Sequence, residues 1–278
     1  MPKHFKYKDL MRNLIKTYSL IIISFLTVSC KNEISPKTIK IIEPLKNYTS
    51  FYALDSLPKA ISKKLENKAT INELNLLVEN YKNPYVKAIA IDILINNDDE
   101  NAFELFEKYI NSKDSIVFRT ECLRRSILLP TYIFNSTIFS DKQKLKEQKE
   151  KNIGKFFKIL FDQENLNVDI VDEMYFWLPN SVEYYKIIRQ NLVKNNSKKL
   201  LRALSKFKNK NDVELIKSFG KDSFIGIAYF NDDAFLEMFE KYININSNWE
   251  YKFALNQYPK SKTKMIYWKI ENYNKAEK

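Results

Sequence analysis

Apolar residues recur along this chain with helical spacing. Between Pro84 and Ile95, Val86, Ile89, Ala90, Ile93 and Leu94 fall at i, i+3, i+4, i+7 and i+8, which lines one side of a helix. The following segment repeats the spacing with Ala102, Leu105, Phe106, Tyr109 and Ile110. Start signals agree with the periods. Thr70 precedes Glu73 and Asn180 precedes Glu183 at capping-box spacing, Asn83 stands before Pro84, and Asp98-Asp99 opens the segment of Phe103. The pattern predicts helices from about Leu57 to Leu129, a less regular stretch over 130–140, and helices again from Asp141 to a polar C-terminal tail. Ser223 to Phe230 (SFIGIAYF) has local strand character, and glycine occurs only at 154, 220 and 226. With few glycines and short polar gaps, little room is left for a sheet. The predicted fold class is all-α.

An internal repeat supports the helical reading. Asn97 to Asn111 reads NDDENAFELFEKYIN and Asn231 to Asn244 reads NDDAFLEMFEKYIN, with one residue inserted between the shared ends. The register continues, with Phe118-Arg119 opposite Tyr251-Lys252, and Ile91-Asp92-Ile93 opposite Ile225-Gly226-Ile227. A helix, a polar turn and two further helices are expected twice, so Ser223 to Phe230 is assigned to a helix. The run Asn83-Pro84-Tyr85-Val86-Lys87-Ala88-Ile89-Ala90 resembles the loop and following helix of HEAT-type repeats, with a looser copy at Asp114 to Arg119. The likeness covers about 70–129 and 211–255. It implies an α-solenoid of stacked helical hairpins, a scaffold that offers an extended concave binding surface. Tyr85, Phe118 and Phe253 are larger than the family's usual residues, which implies irregular curvature.

The N-terminus follows a different rule. Lys3, Lys6, Lys8, Arg12 and Lys16 precede the apolar run Tyr18 to Val28, which closes on Ser29-Cys30. A basic lead, a short greasy run and a small residue is the order of an export signal, and the run falls short of the roughly 20 apolar residues that span a bilayer. Leu26-Thr27-Val28-Ser29-Cys30 resembles the lipobox of bacterial lipoproteins, departing from it at Thr27, where a branched aliphatic is usual. That resemblance implies cleavage between Ser29 and Cys30, a diacylglyceryl group on the Cys30 thiol, acylation of the new amine, and attachment to a membrane through this lipid. Expected boundaries are 1–29 for the signal, 30–47 for the lipid site and a flexible tether, and 48–278 for the helical body. Lys31, rather than an aspartate, follows the lipid site and favours the outer membrane. Lys31-Asn32-Glu33 is similar to charged surface-export tags of Bacteroidetes lipoproteins, and the periplasmic and surface faces stay open.

Composition then narrows the chemistry. The formal charge is +12, and removing the five basic residues and one acid of 1–29 leaves +8. The lysines are scattered rather than gathered on one face, so no nucleic-acid partner is expected. His4, the sole histidine, lies in the signal. The mature chain thus has no imidazole for a general base or a metal, and three scattered glycines build no phosphate cradle. Cys122 lies among apolar residues and is read as a small core hydrophobe. No metal, cofactor or catalytic residue is expected.

Three constellations remain. Asp169, Asp172 and Glu173 fall at i, i+3 and i+4 on one helical side, either a solvated acidic face or the basis of a carboxylate-dependent enzyme such as a glycan hydrolase. Asp98-Asp99 and Asp232-Asp233 are read as helix caps rather than metal ligands. Met174-Tyr175-Phe176-Trp177-Leu178, followed by Tyr184-Tyr185, is an aromatic set that packing would half bury. Tyr175, Trp177, Tyr184 and Tyr185 are the candidate partner-binding residues. The expected function is a non-catalytic, membrane-anchored module that binds another protein at the cell envelope, in an immunity or scaffold role. The alternatives are the carboxylate enzyme and a passive structural lipoprotein.

Overall fold

The computed structural model describes residues 33–52, 55–98, 100–119, 124–140 and 143–276. The predicted signal, Ser29, Cys30 and Cys122 lie outside them. The described chain is mostly helical, with sixteen α-helices and a small three-stranded sheet.

Helix α1 (Pro36–Ile42) starts where Ser35 accepts from Thr38 N and Pro36 sets the first turn. Ile42, and Leu45 in the turn beyond it, are fully buried. The tether expected up to residue 47 is therefore, from Pro36 onward, a docked helix. One carboxylate gathers the start of this helix. Glu73 accepts from Ser35 N at 3.0 Å, Thr38 Oγ1 at 2.9 Å and Thr70 N at 2.9 Å. Hydrogen bonds from Ser35, then Thr70 and Thr38, hold its carboxyl down to about 2. Thr70 and Glu73 also form the capping box of α3 (Ile71–Asn80), so one side chain starts one helix and ties down another.

Strand β1 (Phe51–Tyr52) and helix α2 (Ser56–Lys68), capped by Asp55, precede α3. Next comes α4 (Pro84–Asn97). Asn83 opens it by accepting from Tyr85 N, and Asn83 Nδ2 donates to Leu45 O at 2.8 Å. This helix is apolar on nearly every side. Nine of its residues are buried because α2, α3, α5 (Asn101–Tyr109), α6 (Leu129–Ile138) and β2 (Ser115–Arg119) all pack around it. Its polar exception on the inner side is Asp92, which accepts from Tyr132 Oη at 2.6 Å and Ser136 Oγ at 2.8 Å, both on α6.

The sheet corrects the expectation of continuous helix to Leu129. Strand β2 and strand β3 (Arg124–Leu128) pair antiparallel, with Ile116 opposite Ile127, and β1 joins β2 in parallel, with Phe51 opposite Phe118. The order is β1-β2-β3. The looser repeat copy at Asp114 to Arg119 is thus a strand. Its Ile-Val-Phe run suits the pleated surface, where β-branched and aromatic side chains find cross-strand neighbours. Tyr85 Oη on α4 accepts from Val117 N and donates to Thr49 O, which fastens the sheet to the helices. The stretch 130–140, expected to be irregular, is mostly α6: Pro130 sits in its first turn, where a missing N–H costs nothing.

Beyond it run α7 (Gln143–Glu147), α8 (Lys149–Phe161), α9 (Val168–Met174), α10 (Val182–Asn195), α11 (Leu201–Lys206), α12 (Val213–Lys217), α13 (Phe224–Phe230), α14 (Leu236–Lys241), α15 (Trp249–Leu255) and α16 (Lys260–Ala276). Short 3-10 turns link several of them. Phe224, Phe239 and Tyr251 meet with centroids 4.9 to 5.3 Å apart and are fully buried, forming the centre of the C-terminal part. Gly226 lets α13 approach α11: a Cβ there would lie 2.9 Å from Ser205 Oγ and 3.3 Å from Leu201 Cβ.

The repeat holds through its first two helices. Asp232 caps its turn as expected by accepting from Ala234 N, whereas Asp98 accepts from Glu100 N in the link before α5, whose own cap position, Glu100, makes no side-chain cap bond; Asp99 lies outside the described residues. Correspondence ends after FEKYIN, because the first copy continues into β2 and the second into α15. At α10 the cap is Ser181, which accepts from Tyr184 N, rather than Asn180.

Candidate functional site

The aromatic segment after α9 is built by a lysine from another helix. Helix α9 ends in a 3-10 turn over Tyr175–Trp177, closed by one backbone bond from Leu178 N to Tyr175 O, and the Phe176 and Leu178 carbonyls take their donor from elsewhere. Lys206, the last residue of α11, donates to Phe176 O and Leu178 O at 2.7 Å each, and to Tyr175 O at 3.4 Å. Three carbonyl dipoles thus hold one ammonium, whose pKa burial lowers. The turn is thereby fixed with Leu178 inside and Phe176 outside.

Phe176 is 67% exposed and Phe139, just past α6, is 61% exposed. Trp177 stands between them, half-buried, with centroids 5.3 Å from Phe176 and 5.6 Å from Phe139, both edge to face. Its inner side reaches Phe134 of the core at 6.5 Å. Lys149 Nζ lies 4.5 Å from the Trp177 ring centre and 5.1 Å from that of Phe139. The result is a platform of three rings rooted in the core, with an ammonium held against two of them. Large aromatic groups exposed together and backed by a rigid support are the usual composition of a partner-binding hot spot.

The other three aromatic candidates have internal duties. Tyr175 Oη pairs with Tyr229 Oη at 2.6 Å, and the Arg202 guanidinium lies 4.7 Å from its ring. Burial, with Tyr229 beside it, pushes the phenol up to about 12. Tyr184 stacks on Phe161 at 4.4 Å and 21°. Tyr185 accepts from Asn209 Nδ2 at 2.8 Å and meets Phe207 edge-on at 5.5 Å. Of the four, Trp177 is the one whose ring meets Phe139 and Phe176, so it alone joins the platform. The sequence pattern does not single out Phe139 and Phe176. Phe176 lies inside the aromatic segment named above, whereas Phe139 falls in the stretch assigned as irregular.

The three acids of α9 are each tied to a different group. Asp169 pairs with Lys199, and Asp172 holds Arg202 through two contacts, Nε to Oδ1 at 2.7 Å and Nη2 to Oδ2 at 2.5 Å. Glu173 accepts from Leu128 N at 3.1 Å, and burial raises its pKa. These contacts join α9 to the start of α11 and to the end of the sheet. Among the described residues no group of three His, Cys, Asp or Glu side chains is placed to hold a metal ion, and no helix is long and apolar enough to cross a membrane.

Comparison with known proteins gives no further lead: no family model matches the chain, and no curated protein or solved structure matches it.

Proposed function

We propose that the protein is a lipid-anchored, non-catalytic binding module of the cell envelope that captures a protein partner on the Phe139, Trp177 and Phe176 platform. The observation that carries this reading is the combination of two strongly exposed rings with a turn immobilised by Lys206. A solvated, mobile aromatic would lose side-chain freedom on binding; a fixed one has little left to lose. The partner chemistry follows from the surface. Apolar side chains would cover the rings, and a carboxylate at the edge of the contact would meet the Lys149 ammonium.

Attachment through lipid on Cys30 rests on the signal and lipobox pattern, and the outer membrane remains the favoured location. The solenoid reading also remains a proposal. Successive packing of α3 on α4, α4 on α6, α11 on α13 and α13 on α15 supports it, with the β-hairpin as an interruption.

The test is quantitative crosslinking on intact cells producing the full chain or the Phe139→Ala, Phe176→Ala double variant. Truncating hot-spot rings costs about 2 kcal/mol or more each, so a specific adduct should fall at least tenfold while the amount of folded protein stays level. An adduct that persists unchanged refutes the platform. Mass spectrometry of the mature N-terminus tests the anchor separately, and an unprocessed Met1 would refute it.

A further inference from the structure

A second concavity, unrelated to the aromatic platform, opens between α2, α4, α6 and the β1-β2 pair, with a volume of about 620 Å3. That size falls in the range of small-molecule sites. Its apolar lining comes from Phe51, Ile89, Phe118 and Tyr132. Phe118 lies nearly parallel to Tyr132 at 6.1 Å, and Phe51 leans on Phe118 at 5.9 Å. Helix α2 and its cap present Asp55, Lys59, Lys63 and Glu66 to the cleft, two acids and two bases that cancel in sum. Two charged groups from elsewhere in the fold remain, Asp92 and Arg119.

Neither has found a full complement. Asp92 is largely withdrawn from solvent, yet its partners are the neutral hydroxyls of Tyr132 and Ser136. Arg119 donates from Nη1 to Tyr52 Oη at 3.0 Å, while its Nε is buried without a hydrogen-bond partner among the described residues. No ion pair joins the two side chains, although both line the same cleft. A carboxylate withdrawn from water normally meets a cation, because left alone it carries its full desolvation cost. Here a gap wider than ion-pair distance separates an acceptor from a donor, with rings beside it.

We propose that this cleft binds a small zwitterion with an apolar body, an amino acid or short peptide, its ammonium on Asp92 and its carboxylate on Arg119. The rings and Ile89 take the side chain. A ligand bearing only an ammonium leaves the Arg119 guanidinium without a carboxylate, and one bearing only a carboxylate leaves Asp92 without a cation. Both charges on one molecule complete both groups.

Isothermal titration calorimetry on the full chain tests the assignment with four probes: L-phenylalanine, the dipeptide alanyl-phenylalanine, phenethylamine and 3-phenylpropionate. At least one of the two zwitterions should bind saturably and about tenfold or more tighter than either singly charged analogue. Whichever zwitterion binds tighter separates a free amino acid from a peptide as the source. Asp92→Asn should erase the preference over 3-phenylpropionate, and Arg119→Gln the preference over phenethylamine, with circular dichroism unchanged in both. Singly charged probes that bind as well as the zwitterions, or no saturable heat from any probe, would overturn the proposal. So would a preference that survives both substitutions.

Discussion

Replacing Asp92 by Asn removes a titratable group from the interior while keeping its shape and its ability to bond Tyr132 and Ser136. In the folded protein burial pushes this carboxyl from 3.8 up to about 6, against the pull of the two hydroxyl bonds. The fold therefore holds the proton more tightly than the unfolded chain does. Stability contributed by that proton is fully present below about pH 3.8 and is lost as the pH rises through about 6. A shift of about two units at about 1.36 kcal/mol each corresponds to about 3 kcal/mol. Because the group keeps some solvent contact, about 2 kcal/mol is the figure expected in practice. Urea unfolding of wild type and the Asp92→Asn variant at pH 4 and pH 7.5 measures it. Other carboxylates titrate in both proteins and drop out of the difference. The variant should gain about 2 kcal/mol on wild type between the two pH values. A gap between the proteins that stays constant within about 0.5 kcal/mol would refute the reasoning, since it would mean that Asp92 titrates alike in both states.

Three further substitutions probe other joints. Glu73→Ala should cost about 2 to 3 kcal/mol at neutral pH and open α1 to proteolysis near Pro36–Ile42. With the Glu73 pKa depressed to about 2, its contribution is present above about pH 4.5 and lost as the pH falls through about 2, so wild type and variant should converge in strong acid. Lys206→Met should leave the Phe176 and Leu178 carbonyls short of a donor and cost about 1 to 2 kcal/mol, and the fluorescence of Trp177, isolated by difference against a Trp177→Phe variant, should shift to the red. Unchanged emission would show that the turn holds itself. Gly226→Ala gains about 1 kcal/mol of helix propensity but meets Ser205 and Leu201, so a net loss of about 1 kcal/mol is expected. That loss should shrink in a Ser205→Ala background if the Ser205 Oγ contact is its cause.

Local rules written within a few residues are legible in the sequence alone. The Thr70 to Glu73 box and the Asn83-Pro84 start act over one or two turns, and both are present in the fold, while the apolar positions predicted to line one side of α4 are buried in a helix that is apolar nearly all round. What the sequence hides depends on partners far along the chain. Ile116, Val117 and Phe118 suit either a helix or a strand, and the deciding neighbours are Phe51 and the 124–128 segment. Pro130 reads as an interruption because the residues after it are polar and β-branched, whereas it occupies a first turn. At the aromatic platform, composition points to the segment from Met174 to Leu178 but not to the residues of it that face outward. That choice is made by Lys206, roughly thirty positions downstream, and Phe139 enters only because α6 ends beside Trp177. Nothing in the spacing of Asp92 and Arg119 hints that they line one cleft.

The order β1-β2-β3 leaves β3 as an outer strand, and a bare strand edge invites another chain to zip onto it. The residues presented there are Arg124 and Arg125, both exposed. Their guanidinium groups, one on each face of the strand, repel their own copies on a neighbouring molecule, so the hairpin polices its open flank by charge. At high local concentration, where edges meet often, that guard would matter more than it does in dilute solution.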